Sequence, residues 1–342
     1  MGVGSQVRDV IESQGETWQK VLQGTRRLDL PGSILCVGSG TSYYLAMVMA
    51  HIGNAVGIPM QAAPSQDVVL EPDLTLRAHQ SVIVLSRSGE TSEANWTAAV
   101  SKKYGKTVLG ITCNESSELA EHVHHLWAIP EAHDHTVVMI RSFTSMLMAF
   151  QSAVVHSVMG DINADRVLEN IVSAADEFIL QSRAKIAELL RIPPRRTYIL
   201  GSGVRYGIAL EGALKALEMS NENAYAYGPL EFRHGPWGSI TEEDLIVLLG
   251  QRSYTSHEQA LVNDLSQRTS QLLIIAHHKW FDEFSIAEER RVEIPVAGND
   301  MWFGPMAVIP LQWIGWHWAT NTQRNPDVPR ALEAAVNLDY GV

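Results

Sequence analysis

The chain repeats itself. Ile34-Leu35-Cys36-Val37-Gly38-Ser39-Gly40-Thr41-Ser42-Tyr43 aligns, at a shift of 163 residues, with Thr197-Tyr198-Ile199-Leu200-Gly201-Ser202-Gly203-Val204-Arg205-Tyr206. Downstream the shift becomes 164: Val82 to Leu85 answers Ile246 to Leu249, Thr91-Ser92 answers Thr255-Ser256, and Val108 to Thr112 answers Leu272 to Ala276. Ile129-Pro130 falls close to the position of Ile294-Pro295. The repeated unit is about 150 residues, a domain-sized piece, so the chain must build one architecture twice.

Within each copy, apolar runs of four or five residues alternate with helical stretches. Continuous runs such as Val82-Ile83-Val84-Leu85 read as strands covered on both faces, which predicts parallel sheets with helices on each side. The fold class is therefore α/β, with two tandem doubly wound, flavodoxin-like subdomains and ligands beyond the carboxyl ends of the strands. The expected spans are 1–160 for the first subdomain, 161–193 for a connecting helix and 194–342 for the second with a C-terminal tail. Residues 6–26 read as one leading helix, and 142–159 and 164–190 as helices joining the halves before the break at Arg191-Ile192-Pro193-Pro194. Trp302 to Trp318 has helical spacing and reads as core or interface packing ahead of a stacking site.

A net charge of −12 disfavours nucleic acid or an anionic membrane surface as partner. No apolar run approaches the ~18–20 residues of a membrane span, and Met1 to Ser5 lacks the basic and apolar parts of a secretory signal. The two cysteines, Cys36 and Cys113, offer no disulfide framework or cysteine zinc site, so a cytoplasmic location is expected. A phosphate ester would have to be captured by local backbone donors rather than by global charge.

Two loops offer such donors. Ser86-Arg87-Ser88-Gly89-Glu90-Thr91-Ser92 follows the third apolar run and leads into a helix near 93–104. Hydroxyls and free N–H groups at a helix N-terminus make a phosphate cradle, although the same residues can be a simple Ser/Thr cap with a capping-box acid. Gly38-Ser39-Gly40-Thr41-Ser42 is a second hydroxyl-bearing helix start; with Tyr43 in place of a third glycine it is a poor dinucleotide fingerprint. The second copy of the cradle reads Gly250-Gln251-Arg252-Ser253-Tyr254-Thr255, without the Ser-Gly pair. One half thus keeps a phosphate loop, and a single composite site per chain is expected.

The other half carries acid–base residues. Glu211, Lys215 and Glu218 lie at i, i+4 and i+7 on one helical face, and His234 follows Lys215 by nineteen residues in a turn before Gly235-Pro236. A base, a cation for developing negative charge and a second proton carrier are what proton-transfer chemistry needs. The competing reading is a solvent-exposed ion-pair ladder with a surface histidine nearby. His122, His124, His125, His133 and His135 crowd into fourteen residues, but no His-Glu-x-x-His pattern or cysteine accompanies them. No metal and no cofactor are expected.

Taken together, the chain resembles the double sugar-isomerase (SIS) domain family, which includes the isomerase half of glutamine–fructose-6-phosphate aminotransferase and shorter amino-sugar-phosphate deaminases and isomerases. Five motifs carry the likeness: Gly38 to Ser42, Ser86 to Thr91, Arg141-Ser142-Phe143-Thr144, Leu210 to Lys215 with Glu218, and Gly228 to Pro236. The resemblance implies that Thr41, Ser42, Ser86, Ser88 and Thr91 hold a sugar phosphate, with Gly40, Arg141 and Glu231 near the substrate. It further implies that Glu218 moves a proton between C1 and C2, that Lys215 is its electrostatic partner, and that His234 opens the sugar ring from a neighbouring subunit of a homodimer.

The departures narrow the chemistry. The synthase has an N-terminal glutaminase domain, whereas here the repeat starts within about 35 residues. Its tail carries a Schiff-base lysine where this chain reads Pro329-Arg330-Ala331-Leu332-Glu333-Ala334, and alanine cannot capture a carbonyl as an imine. Arg87 replaces the usual glutamine of the phosphate loop and is expected to offer phosphate a bidentate cation; Arg141 replaces a lysine. The sequence therefore points to a phosphosugar isomerase/deaminase, with glucosamine 6-phosphate giving fructose 6-phosphate and ammonia. Alternatives are a fructosamine-6-phosphate deglycase and, in another class, a non-catalytic sugar-phosphate-binding regulatory protein.

Overall fold

The computed structural model describes residues 2–24, 26–159, 161–269, 271–282 and 286–338. The chain opens with helices α1 (Ser5–Glu12) and α2 (Gln14–Leu22). The first repeat then runs β1 (Ile34–Gly38), α3 (Thr41–Ala55), β2 (Met60–Pro64), α4 (Ser65–Leu70), α5 (Pro72–Leu76), β3 (Ser81–Leu85) and α6 (Ser92–Lys103). It finishes with β4 (Thr107–Thr112), α7 (Glu118–His122), β5 (His125–Ala128) and α8 (Arg141–Met159). After α9 (Asp161–Leu189) the second repeat runs β6 (Thr197–Gly201), α10 (Val204–Ser220), β7 (Ala224–Tyr227), β8 (Leu245–Leu249) and α11 (Thr255–Leu265). It closes with β9 (Leu272–His277), α12 (His278–Phe281), β10 (Arg291–Ile294) and α13 (Gly304–Asn321).

The chain divides into two compact units, one of residues 16–168 with 333–338, the other of residues 2–15 with 169–332. Each holds a five-stranded parallel sheet, ordered β2-β1-β3-β4-β5 and β7-β6-β8-β9-β10. Numbered within each repeat, both orders are 2-1-3-4-5, the flavodoxin-like doubly wound arrangement. The expected α/β class with two parallel-sheet repeats is thus what the structure contains. β1, β3, β6 and β8 are buried along their whole length, which explains their unbroken apolar runs. Leu35, Val82, Val108 and Ala98 pack in the core of one unit, and Leu200, Ile246, Ile274 and Phe232 in that of the other.

The repeated Gly-Ser-Gly turn has one physical cause in both units. Gly40 and Gly203 adopt φ/ψ of 55/−126 and 56/−126, a conformation L-residues avoid. A Cβ at Gly38 would stand 2.5 Å from the Ser42 backbone, and one at Gly201 2.4 Å from the Arg205 carbonyl oxygen. The turn thereby carries β1 directly into α3, and β6 directly into α10.

The leading segment differs from its expected single helix. Ser13 ends α1, its hydroxyl bonding back to the Val10 carbonyl at 3.0 Å, a local bond that competes with helix continuation. α1 packs with α13: the Val7 and Gly4 amides donate to Asp327 and Asn325 side chains at 2.9 and 3.0 Å, and Trp316 Nε1 donates to the Gly4 carbonyl at 2.7 Å. The tryptophan-rich segment forms α13, a core helix in which Trp313 and Trp318 are buried. Among the described residues no helix is long and apolar enough to cross a membrane.

Candidate functional site

The hydroxyl-rich loops follow neighbouring strands. Gly38 to Ser42 follows β1 and Ser86 to Thr91 follows β3; these strands pair at the point where the winding of the sheet reverses. Ligands of doubly wound sheets sit at such a point. Thr41, Ser42 and Ser86 are buried, whereas Ser88 and Thr91 are partly exposed. Ser86 Oγ accepts the Gly89 amide and Ser88 Oγ accepts the Glu90 amide, each at 3.1 Å, so the loop is folded by its own serines. Gly89 has φ of 70°, and a Cβ there would lie 2.2 Å from Ser117 Oγ. Thr91 caps α6 through its position alone, without a side-chain cap hydrogen bond. Three residues on stands Ala94, so the capping-box reading finds no support here.

The Arg87 guanidinium is held by backbone carbonyls. Its Nη1 donates to the Thr136 carbonyl at 3.1 Å, and Nη2 to the Val137 and Ala334 carbonyls at 3.0 and 2.9 Å. The Asp134 carboxylate lies 3.8 Å away. Asp134 in turn accepts the Ile140 and Arg141 amides at 3.1 and 3.0 Å and the Ser142 hydroxyl, fixing the start of α8. The Arg141 guanidinium donates to the His133 carbonyl, at 2.6 Å from Nη2. Nothing in the motif pattern distinguished Asp134 from the histidines around it.

The acid–base residues lie on α10. Lys215 Nζ stands 2.5 Å from Glu218 Oε2 and 3.4 Å from Glu211 Oε1. Lys215 and Glu211 are 0% exposed and Glu218 is 20% exposed, so this is a buried charge cluster and the ion-pair ladder on solvent is set aside. Helix packing explains the burial: α10 lies against α13, where Gly212 and Gly315 let the two backbones approach. Glu218, on the last turn, is the carboxylate that solvent can reach. His234 follows the short 3₁₀ turn Glu231–Arg233; its amide donates to the Glu231 carbonyl at 2.9 Å and its side chain is exposed, as is Glu231. A cleft of about 670 Å³ opens beside the end of α10, lined by Met219, Asn221, Arg324 and Arg330 among others.

The second repeat's version of the cradle is filled by its own side chains. Glu258 accepts the Gln251 amide at 3.0 Å and Trp280 Nε1 at 2.7 Å, and Asp300 accepts the Arg252 amide at 2.9 Å. Arg205, 1% exposed, donates to the Asp300 carbonyl at 2.8 Å. Burial pushes Glu258 up to about 7 and Arg205 down to about 10. The repeat alignment held a clue, because Arg205 stands where the first copy has Ser42.

The five clustered histidines have separate surroundings. His124 Nδ1 accepts the Val108 amide at 3.0 Å, His122 lies 3.7 Å from Glu118, and the His133 and His135 rings meet edge to face. His122 closes α7 and His125 begins β5, so neighbours in sequence lie on different elements. Among the described residues no three His, Cys, Asp or Glu side chains converge as a metal site would require.

The SIS domain family matches residues 30–156 and 192–314, one copy on each repeat. The chain belongs to the SIS domain family. SIS-domain relatives include a glutamine–fructose-6-phosphate aminotransferase (isomerizing) of Gloeobacter violaceus, 30% identical over 90% of this chain and 52% of that protein. Another is a D-galactosamine-6-phosphate deaminase of Shewanella sp., 26% identical over 86% of this chain and 77% of that protein. The chain spans about half the length of the aminotransferases it matches. Among solved structures, glucosamine-6-phosphate deaminase from Thermotoga maritima superposes with a TM-score of 0.82 at 24% identity, covering 98% of this chain and 100% of that one. The C-terminal domain of glucosamine-fructose-6-phosphate aminotransferase from Francisella tularensis gives 0.80 at 20% identity, covering 96% and 99%. These two likenesses concern the fold.

Proposed function

We propose that the chain is an amino-sugar-phosphate deaminase/isomerase that converts glucosamine 6-phosphate and water to fructose 6-phosphate and ammonia. The observation that carries this reading is the charge cluster on α10, in which a fully buried Lys215 fixes Glu218 as the accessible carboxylate. Thr41, Ser42, Ser86, Ser88 and Thr91 hold the phosphate, with Gly40 leaving the backbone open to it. His234 donates the proton that opens the sugar ring. Glu218 takes the C2 proton, giving an enolamine, and returns a proton to C1 to form the C2 ketimine. Water then adds at C2 and ammonia leaves. Lys215 supplies positive charge beside the base, and Arg141 and Glu231 border the substrate.

Ala334 offers no amine for an imine with a ketose, which favours release of nitrogen over its installation. The D-galactosamine-6-phosphate deaminase among the relatives supports the same direction. An exposed His234 agrees with its sharing across a homodimer. The test is a panel of hexosamine and fructosamine 6-phosphates assayed for ammonia, free amino acid and ketose. Equimolar ammonia and fructose 6-phosphate are expected from glucosamine 6-phosphate. Glu218→Gln should cut turnover by about 10²–10⁴-fold while inorganic phosphate still binds. Undiminished ammonia release by that variant would overturn the assignment, and free amino acid as the nitrogen product would replace it with a deglycase.

A further inference from the structure

The hydroxyl loop and the C-terminal segment touch each other. Arg87 in the hydroxyl loop donates to the carbonyl of Ala334 in the C-terminal segment at 2.9 Å. The same segment is fastened at the other end of the loop: the Ser92 amide donates to the Val336 carbonyl at 3.2 Å, and the Leu338 amide donates to Ser92 Oγ at 3.0 Å. Residues 334–338 therefore run along the loop and grip it at its second and last residues. Val336 is 49% exposed, so apolar burial contributes little and the backbone bonds hold the segment.

The guanidinium is built for this task. Arg87 is 7% exposed, with the Thr136 and Val137 carbonyls holding its plane and Asp134 balancing its charge at 3.8 Å. A planar fork with fixed donors can serve three carbonyls at once, which a lysine ammonium on a flexible stem or a glutamine amide cannot reproduce.

We propose that Arg87 is a positioning residue: it joins the C-terminal segment to the loop, so that an anion held by the loop also orders residues 334–338. This rests on the reading of Ser86 to Thr91 as a phosphate site. If closing on phosphate shifts the loop, Arg87 and Ser92 carry the segment with them. By linkage, a seated segment strengthens phosphate binding by the same factor.

The test measures amide hydrogen exchange of the full chain, with and without inorganic phosphate, alongside phosphate affinity in Arg87→Gln, Arg87→Lys, Leu338→Pro and the Arg87→Gln/Leu338→Pro double variant. Phosphate should slow exchange of residues 86–92 and of Leu338 in the parent, and of 86–92 alone in Arg87→Gln. Arg87→Gln, Arg87→Lys and Leu338→Pro should each weaken phosphate about five- to tenfold, and the double variant no further, because all release one segment. Losses that add, or an Arg87→Lys variant that binds as the parent does, would make Arg87 a direct phosphate ligand and overturn the proposal. Protection of residues 86–92 without any change at Leu338 would also overturn it, while leaving the phosphate site standing. If phosphate protects neither stretch, the phosphate-site reading fails and the coupling with it.

Discussion

Gly315 lies against the carbonyl of Lys215 so closely that a Cβ there would stand 2.9 Å from the oxygen and 3.2 Å from the carbonyl carbon. Both contacts are backbone, so no side chain can rotate away, and α13 must move off α10 to admit even a methyl group. Gly315→Ala is expected to cost about 1–3 kcal/mol of stability by overpacking. It should also lower kcat with the folded fraction held constant, because the turn bearing Lys215 shifts under Glu218. Thermal unfolding and turnover on the same preparation check both; an alanine variant with parental Tm and kcat would show that the contact relaxes freely.

Lys215 separates structural from chemical need. Removing its ammonium leaves Glu211 buried without that countercharge, a change that typically costs about 3–5 kcal/mol. Lys215→Met should therefore be strongly destabilised. Lys215→Met/Glu211→Gln, which removes both buried charges, should recover most of that stability. Its turnover should stay low, since Glu218 has still lost its cation. Denaturant melts with kcat measurements read the two effects apart, and recovery of turnover together with stability would strip Lys215 of its electrostatic role.

Glu258 makes the second repeat sensitive to pH. Its carboxyl titrates at about 7 in the folded protein against an ordinary 4.5, because burial opposes the charged form. The folded state thus holds the proton more tightly, and the stability it contributes is complete below about pH 4.5 and lost as the pH rises through 7. Buried His277 acts oppositely: held near 4 against an ordinary 6.5, it contributes stability above pH 6.5 that is lost as the pH falls through 4. The difference between Glu258→Gln and the parent isolates the carboxylate. From pH 5 to 8 that difference should move in favour of the glutamine variant by on the order of 3 kcal/mol. Parallel stability curves across this range would contradict the shift.

What was legible in the sequence was what is local in the chain. The Gly-Ser-Gly turns announce themselves because only glycine tolerates the backbone at Gly40 and Gly203, so the duplication and both sheets follow from short runs of residues. The spacing of Glu211, Lys215 and Glu218 placed them on one face. It could not say that α13 would cover that face, because the cover comes from Gly315, a hundred residues on. The surroundings of Arg87 were hidden for the same reason: its partners, the Thr136, Val137 and Ala334 carbonyls, are supplied by tertiary folding. The break at Ser13 was hidden by an apolar pattern that continues through it.

The duplicated chain should bind one anion, not two. Both repeats present a strand–loop–helix cradle, and two sites per chain would be the naive count. In the first repeat the Gly89 and Glu90 amides donate to the neutral hydroxyls of Ser86 and Ser88. In the second, the Glu258 and Asp300 carboxyl groups accept the Gln251 and Arg252 amides, so two backbone donors that would face a phosphate are already engaged by side chains of the protein itself. A phosphate entering there would have to break these buried hydrogen bonds and meet the repulsion of any carboxylate charge, a cost of several kcal/mol. Titration calorimetry with fructose 6-phosphate should give one site per chain. Ser86→Ala/Thr91→Ala should abolish it, whereas Gln251→Ala should leave both stoichiometry and affinity unchanged. A second equivalent of ligand that vanishes in Gln251→Ala would show that the second cradle is open after all.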